Sequence, residues 1–212
     1  MKKPITIGID EVGRAARGRA SPKRKIVIGI DEVGRGALAG PVVLCAILCR
    51  RRIKWSHPEL GRIRDSKKLS PRRRQAWSHF LRNHPALEWR IARVGPQVID
   101  RINIARAADL AACRLVKRIG PRSSYWVWLD GGLRLPEHIP HQSVTRGDER
   151  IPLIAAASII AKVWRDRMMT RLDRDFPAYG FGKHKGYGTP FHRRMIFRHG
   201  LSEVHRETFT VR

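Results

Sequence analysis

The sequence predicts an α/β fold, a mixed β-sheet flanked by helices, with a C-terminal third that is mostly helical. Three observations carry this. Two apolar, β-branched runs at 26–30 and 42–48 stand close together with glycines between them. Strand-like segments further on alternate with stripes of helical period, and beyond residue 152 the helical period prevails.

The elements follow in order. Residues 26–30 (Ile-Val-Ile-Gly-Ile) have the pattern of a buried strand. Gly34, Gly36 and Gly40-Pro41 punctuate the chain before a second strand at 42–48. Residues 50–64 are basic and loop-like. Ser70-Pro71 supplies an N-cap and a first-turn proline for a helix reaching about Asn83, and a strand follows at Leu87–Val94. Pro96 opens one longer helix, in which Ile99, Ile102, Ala105, Ala108, Ala112, Leu115 and Ile119 form a single stripe until Gly120-Pro121 stops it. Tyr125–Leu129 is a strand ending at Asp130-Gly131-Gly132, with Trp126 and Trp128 on one face as core. A short strand near His141–Thr145 precedes a helix from Pro152, whose apolar face carries Ile154, Ala157, Ala161, Trp164, Met168 and Leu172. The glycine-rich, basic stretch 180–188 leads to a last helix capped by Thr189-Pro190 and ending near Gly200.

Charge narrows the partners. Among 212 residues, 44 Lys and Arg face 18 Asp and Glu, a formal net charge of +26. So basic a chain repels itself unless a polyanion neutralises it, so nucleic acid is the expected partner. Charge alone fits an enzyme and a non-catalytic RNA-binding protein equally well. No stretch approaches the roughly 20 apolar residues of a membrane span, and the basic start lacks the apolar run of a secretory signal. Cys45 and Cys49 on one strand would lie about 13 Å apart at ~3.3 Å per residue, too far for a disulfide. Reduced thiols in a cytoplasmic protein, with no membrane association, are the expectation.

One segment occurs twice. Ile7–Arg14 repeats Ile28–Arg35 letter for letter, but only Arg35 continues into Gly36 and the 37–43 turn toward a second strand. Residues 1–24 are therefore read as an appended, flexible basic segment, 25–175 as the catalytic domain and 176–212 as a C-terminal extension. The second copy is taken as the working one.

Against the prevailing charge, Asp31 and Glu32 close the first strand, Asp130 closes another, and Asp148 stands just before the Pro152 helix. Neighbours on a strand point to opposite faces, so Asp31 and Glu32 can share a site only where the strand ends or bends. Carboxylates gathered in this way suit hard divalent cations such as Mg²⁺. Asp166 lies about 20 Å along the Pro152 helix, too far to replace Asp148, and is read as a partner of nearby arginines. The arginine runs 50–52 and 72–74 are read as general polyanion surface, and His184 as a surface histidine.

The runs GIDEVGRGALAGPVV (29–43), DSKKLS (65–70), LDG (129–131), RGD with AAASIIAKVWRDR (146–167) and HKGYGT (184–189), in this order, resemble the bacterial ribonuclease HII family. The resemblance implies an RNase H-like fold with a C-terminal helical extension. It implies a metal-dependent endonuclease that hydrolyses the RNA strand of RNA–DNA hybrids and cuts at ribonucleotides embedded in duplex DNA. Two-metal catalysis with Mg²⁺ or Mn²⁺ would leave 3′-hydroxyl and 5′-phosphate ends. By the same resemblance Asp31, Glu32, Asp130 and Asp148 are the metal-binding carboxylates. Gly34, Arg35 and Gly36 contact the ribonucleotide 2′-hydroxyl through their backbone, and a glycine loop permits such close approach. Tyr187 stacks on the next deoxynucleotide sugar, and Lys67 and Lys68 meet phosphates. A monomer is expected.

Overall fold

The computed structural model describes residues 26–51, 53–120 and 125–209. The first copy of the repeat lies outside them. The second copy forms β1 (Ile26–Val33), the central strand of a five-stranded sheet. Antiparallel β2 (Val42–Cys49) flanks it on one side, followed by antiparallel β5 (Leu87–Val94). Parallel β6 (Tyr125–Asp130) and β7 (His141–Val144) lie on the other side, so the order is β5-β2-β1-β6-β7 and the sheet is mixed. A separate two-residue ladder pairs β3 (Ser56–His57) with β4 (Gly61–Arg62) in the stretch expected to be loop.

Each face of the sheet has its own core. Ile28, Ile30, Val42, Leu44, Val127 and Leu129 point to the face covered by α2 (Pro96–Ile102) and α3 (Ile104–Ile119). Val27, Cys45, Ile47, Cys49 and Trp128 point to the face covered by α1 (Pro71–Asn83) and α5 (Pro152–Asp175). The two cysteines are buried as free thiols, and Trp126 packs edge-on against Trp128 at 6.0 Å.

Two expectations change here. The single helix over 96–119 is two helices. Asn103 breaks it at φ 64°, and its side chain caps α3 by accepting from the Arg106 N–H. The break shifts the helical phase, so Ala107 and Ala111 join the stripe and Ala105 becomes exposed. The α5 stripe is also wider than expected, because Leu153–Ala161 is buried on every side. Small residues make this close packing possible. A methyl group added at Gly29 of β1 would lie 2.7 Å from the Leu153 carbonyl carbon, so α5 rests almost directly on the central strand. Beyond it, the turn Pro177–Tyr179, α6 (Phe181–His184) and α7 (Pro190–His199) form the helical C-terminal end.

Candidate active site

β1 and β6 are parallel neighbours in the register Ile30↔Leu129, so their C-terminal ends bring Asp31 and Asp130 side by side. Asp31 points toward α5. The strand continues through Glu32 to Val33, yet the longer Glu32 side chain still joins the same mouth of the sheet. Ligand-type oxygens of Asp31, Glu32 and Asp130 all lie within 4.8 Å of one another. Burial and the charges of Glu32 and Asp130 raise the Asp31 carboxyl well above the ordinary aspartate value. Burial and Asp130 also raise Glu32, with Arg35 offsetting part of the shift.

Asp148 stands beside this group of three. It lies in the short helix α4 (Gly147–Arg150), buried at 7% exposure. Asp130 holds that helix in place, since its Oδ1 accepts the Gly147 N–H at 2.7 Å. Burial, Asp65 and Asp130 push the Asp148 carboxyl up to about 6. Lys67 Nζ approaches Asp148 at 3.8 Å, and Lys68 pairs with Glu149 at 3.3 Å. Both lysines thus line the edge of the carboxylate site.

The residues present fit a divalent cation. Glu32 Oε2 is buried and has no hydrogen-bond partner among the described residues, and the clustered carboxylates repel one another in a protein otherwise rich in cations. A hard cation would relieve both.

Sequence reasoning missed Asp65, Ser66 and Ser158. Asp65 is buried and accepts the Lys67 N–H at 2.9 Å, which orients the lysine turn Ser66–Lys68. Ser66 and Ser158 share a buried hydroxyl–hydroxyl bond at 2.8 Å, and Ser158 offsets part of the upward shift of the Asp31 carboxyl. Asp65 and Ser66 lie in DSKKLS and Ser158 in AAASIIAKVWRDR, but no spacing rule connects positions 66 and 158.

Of the predicted substrate residues, Gly34, Arg35 and Gly36 follow directly on the carboxylate end of β1. Arg35 pairs with Glu32 at 3.2 Å and reaches the Gly132 carbonyl. A methyl group at Gly36 would meet nothing within 4 Å, which leaves room for a ligand to approach the backbone. Gly34 needs glycine for another reason. It has φ +87°, and a methyl group there would lie 2.2 Å from Arg165 Nε. Tyr187 reaches this loop through an isolated bridge to Ala37.

Other assignments are corrected or sharpened. His184 is buried rather than at the surface. It stacks on His192 at 4.2 Å, and its Nε2 bonds the Tyr179 carbonyl at 2.8 Å. Arg74 is not general surface, because it donates to the carbonyls of Ser66 and Leu69. Arg50 pairs with Glu88. Asp166 pairs with Lys162 at 2.8 Å and approaches Arg74 at 3.9 Å.

The profile of the family described as Ribonuclease HII matches residues 28–212, beginning at the first residue of the second copy of the repeat. The chain belongs to the ribonuclease HII family. A ribonuclease HII of Microcystis aeruginosa is 42% identical over 98% of this chain and 88% of its own length. One of Chlorobium phaeovibrioides is 43% identical over 84% of this chain and 86% of its own. Among solved structures, the PCNA:RNase HII complex of Archaeoglobus fulgidus aligns with TM-score 0.71 and 27% identity over 88% of this chain and 96% of that one. The ribonuclease H2 of Pyrococcus horikoshii aligns with TM-score 0.59 and 22% identity over 88% and 94%, a likeness of fold. As a member of the ribonuclease HII family the protein is a metal-dependent ribonuclease H, a hydrolase acting on RNA in RNA–DNA hybrids. No helix among the described residues is long and apolar enough to cross a membrane.

Proposed function

We propose that the enzyme cuts both the RNA strand of RNA–DNA hybrids and duplex DNA at embedded ribonucleotides, leaving 3′-hydroxyl and 5′-phosphate ends. The observation that carries this reading is the meeting of Asp31, Glu32 and Asp130 within 4.8 Å at parallel strand ends of a chain with net charge +26. Asp31, Glu32, Asp130 and Asp148 would hold Mg²⁺ or Mn²⁺. Bound there, a pair of such ions supplies Lewis-acid activation of water and stabilises the leaving oxygen.

The chain's own side chains do the remaining work. Asp130 bonds the Gly147 N–H and so sets Asp148 relative to the strand ends. Lys67 and Lys68, beside Asp148 and Glu149, offer cations to phosphates flanking the cut. Gly34, Arg35 and Gly36 read the 2′-hydroxyl, the group that separates RNA from DNA, and the open side of Gly36 supports close approach. Tyr187 supports the next sugar. Residues 1–24 are an appended segment, and the protein acts as a cytoplasmic monomer.

The substrate claim is tested with a labelled DNA duplex holding one ribonucleotide. We expect Mg²⁺-dependent cutting at that position, with ends that a ligase and a phosphatase identify as 3′-hydroxyl and 5′-phosphate. Equal cutting of the all-DNA duplex would contradict it.

A further inference from the structure

Two arginines in this basic protein are almost fully withdrawn from solvent, Arg165 of α5 at 0% exposure and Arg206 after α7 at 1%. Among the described residues neither makes an ion pair with a carboxylate. Instead their forks are spent on backbone carbonyls. Arg165 donates from Nε to Pro41 (3.0 Å), from Nη2 to Ala39 (3.0 Å) and from Nη1 to Lys185 (2.8 Å). Arg206 donates from Nη2 to Gly34 (2.6 Å) and Gly40 (2.9 Å), from Nε to Gly40 (3.0 Å) and from Nη1 to Arg35 (2.8 Å). The two guanidinium groups also repel each other, as the lowering of Arg206 by burial and by Arg165 reflects.

Burying a guanidinium with no carboxylate partner opposes folding, and a well-packed apolar side chain would serve stability at least as well. What distinguishes this pair is the location of the seven bonds. Every acceptor belongs to the segment 34–41 or to Lys185, the loop of Gly34–Gly36 and the loop of Tyr187. The two loops are also tied by Gly186, whose carbonyl accepts from the Leu38 and Ala39 N–H groups at 2.8 and 3.2 Å. Arg165 lies under the Tyr187 ring, 5.4 Å from its centroid. It therefore touches both loops at once.

The bonds to Arg206 have a second consequence. In a trans peptide the N–H of the following residue points opposite to the carbonyl. With the Gly34 and Arg35 carbonyls turned inward onto Arg206, the N–H groups of Arg35 and Gly36 are turned outward. Neither donates to an acceptor among the described residues. They are two aimed donors beside the carboxylate mouth, as recognition of a ribose hydroxyl requires.

We propose that Arg165 and Arg206 are positioning residues for ribonucleotide recognition: they fix the spacing between the Gly34–Gly36 loop and Tyr187 and aim the Arg35 and Gly36 amides at the 2′-hydroxyl. This rests on the proposed reading of that loop. A lysine at either position keeps the positive charge but loses the planar fork that reaches several carbonyls at once.

The test uses Arg165→Lys and Arg206→Lys in the full chain. Affinities for a duplex with one ribonucleotide and for the same duplex in all DNA are measured beside kcat, KM, the Mg²⁺ dependence of cleavage and the far-UV circular dichroism. We expect folded variants with the wild-type Mg²⁺ midpoint, and kcat/KM on the ribonucleotide duplex lowered by about ten- to a hundredfold. The loss should sit mainly in KM, with the ribonucleotide-to-DNA affinity ratio falling toward one. An unchanged ratio in both folded variants would overturn the proposal. So would loss of folding in both, which would assign the arginines to stability alone. A wild-type enzyme that shows no preference for the ribonucleotide duplex would instead remove the underlying reading, and the proposal with it.

Discussion

Replacing Asp130 by Asn should move activity and stability in opposite directions. The amide is isosteric, and its Oδ1 can still accept the Gly147 N–H, so α4 and Asp148 should stay in place. What disappears is one negative charge from three carboxylates whose oxygens lie within 4.8 Å, where a fully charged pair at an effective dielectric of 20 repels by about 3 kcal/mol. Asp31 and Glu32, both raised by burial and by Asp130, already relieve part of this repulsion by holding protons to higher pH. We therefore expect the metal-free Asp130→Asn protein to be more stable than wild type by about 1–2 kcal/mol, within the ceiling set by that repulsion. Urea unfolding in EDTA at neutral pH measures this. Cleavage under saturating Mg²⁺ should fall by about a thousandfold or more, as expected when charge stabilisation at a reacting centre is removed. A destabilised variant, or one with near wild-type turnover, would refute the reasoning.

Further outcomes follow from other parts of the fold. His205 Nε2 bonds His192 Nε2 at 3.1 Å, while His205 Nδ1 accepts the Ser202 N–H and His192 Nδ1 donates to the Tyr187 carbonyl, an arrangement that requires both rings neutral. Burial, first of all, lowers both histidines from 6.5 to about 4. Between those values the unfolded rings bind more protons than the folded ones, so the histidines' own contribution to stability should decline as pH falls from 6.5 to 4, against the opposite contribution of the raised Asp31, Glu32 and Asp148. Thermal melts of the wild-type and His205→Gln proteins across that range isolate it, and a difference between the two that does not change with pH would contradict it. Asn103→Ala should destabilise the fold by about 1–3 kcal/mol, since it removes the cap of α3 and places alanine at positive φ; urea unfolding measures it. Gly29→Ala should cost about 1–3 kcal/mol through overpacking against Leu153, and should also lower cleavage because α5 covers Asp31. Thermal melts beside cleavage rates would show whether both effects occur.

The parts of the molecule legible in the sequence were those governed by local rules. The buried β1 and β2 runs and the Ser70-Pro71 and Thr189-Pro190 helix starts depend on residue type and period, and the structure has each of them. Of the acidic strand ends, Asp130 closes β6, whereas β1 runs on past Asp31 and Glu32 to Val33. Asn103 shows where such rules stop. Its neighbours keep a helical spacing across the break, and only a positive φ with a side-chain cap separates α2 from α3. The three gathered carboxylates could be anticipated because strand ends converge, whereas Asp65 and the Ser66–Ser158 link depend on α5 settling against β1 over Gly29. His184 was misjudged because a glycine-rich, basic context suggests surface. Its burial arises from Phe181 packing against it and from its bond to the Tyr179 carbonyl, contacts set by tertiary structure.

The central claim is that the Asp31–Glu32 copy at the end of β1 forms the metal-dependent catalytic centre. Its most direct test is cleavage of one duplex, holding a single ribonucleotide, by the wild-type, Asp10→Asn and Asp31→Asn proteins, with Mg²⁺ and after EDTA. We expect Mg²⁺-dependent cutting by the wild-type and Asp10→Asn proteins and none by Asp31→Asn. Activity that survives in Asp31→Asn and is lost in Asp10→Asn, or that persists in EDTA, would contradict the account.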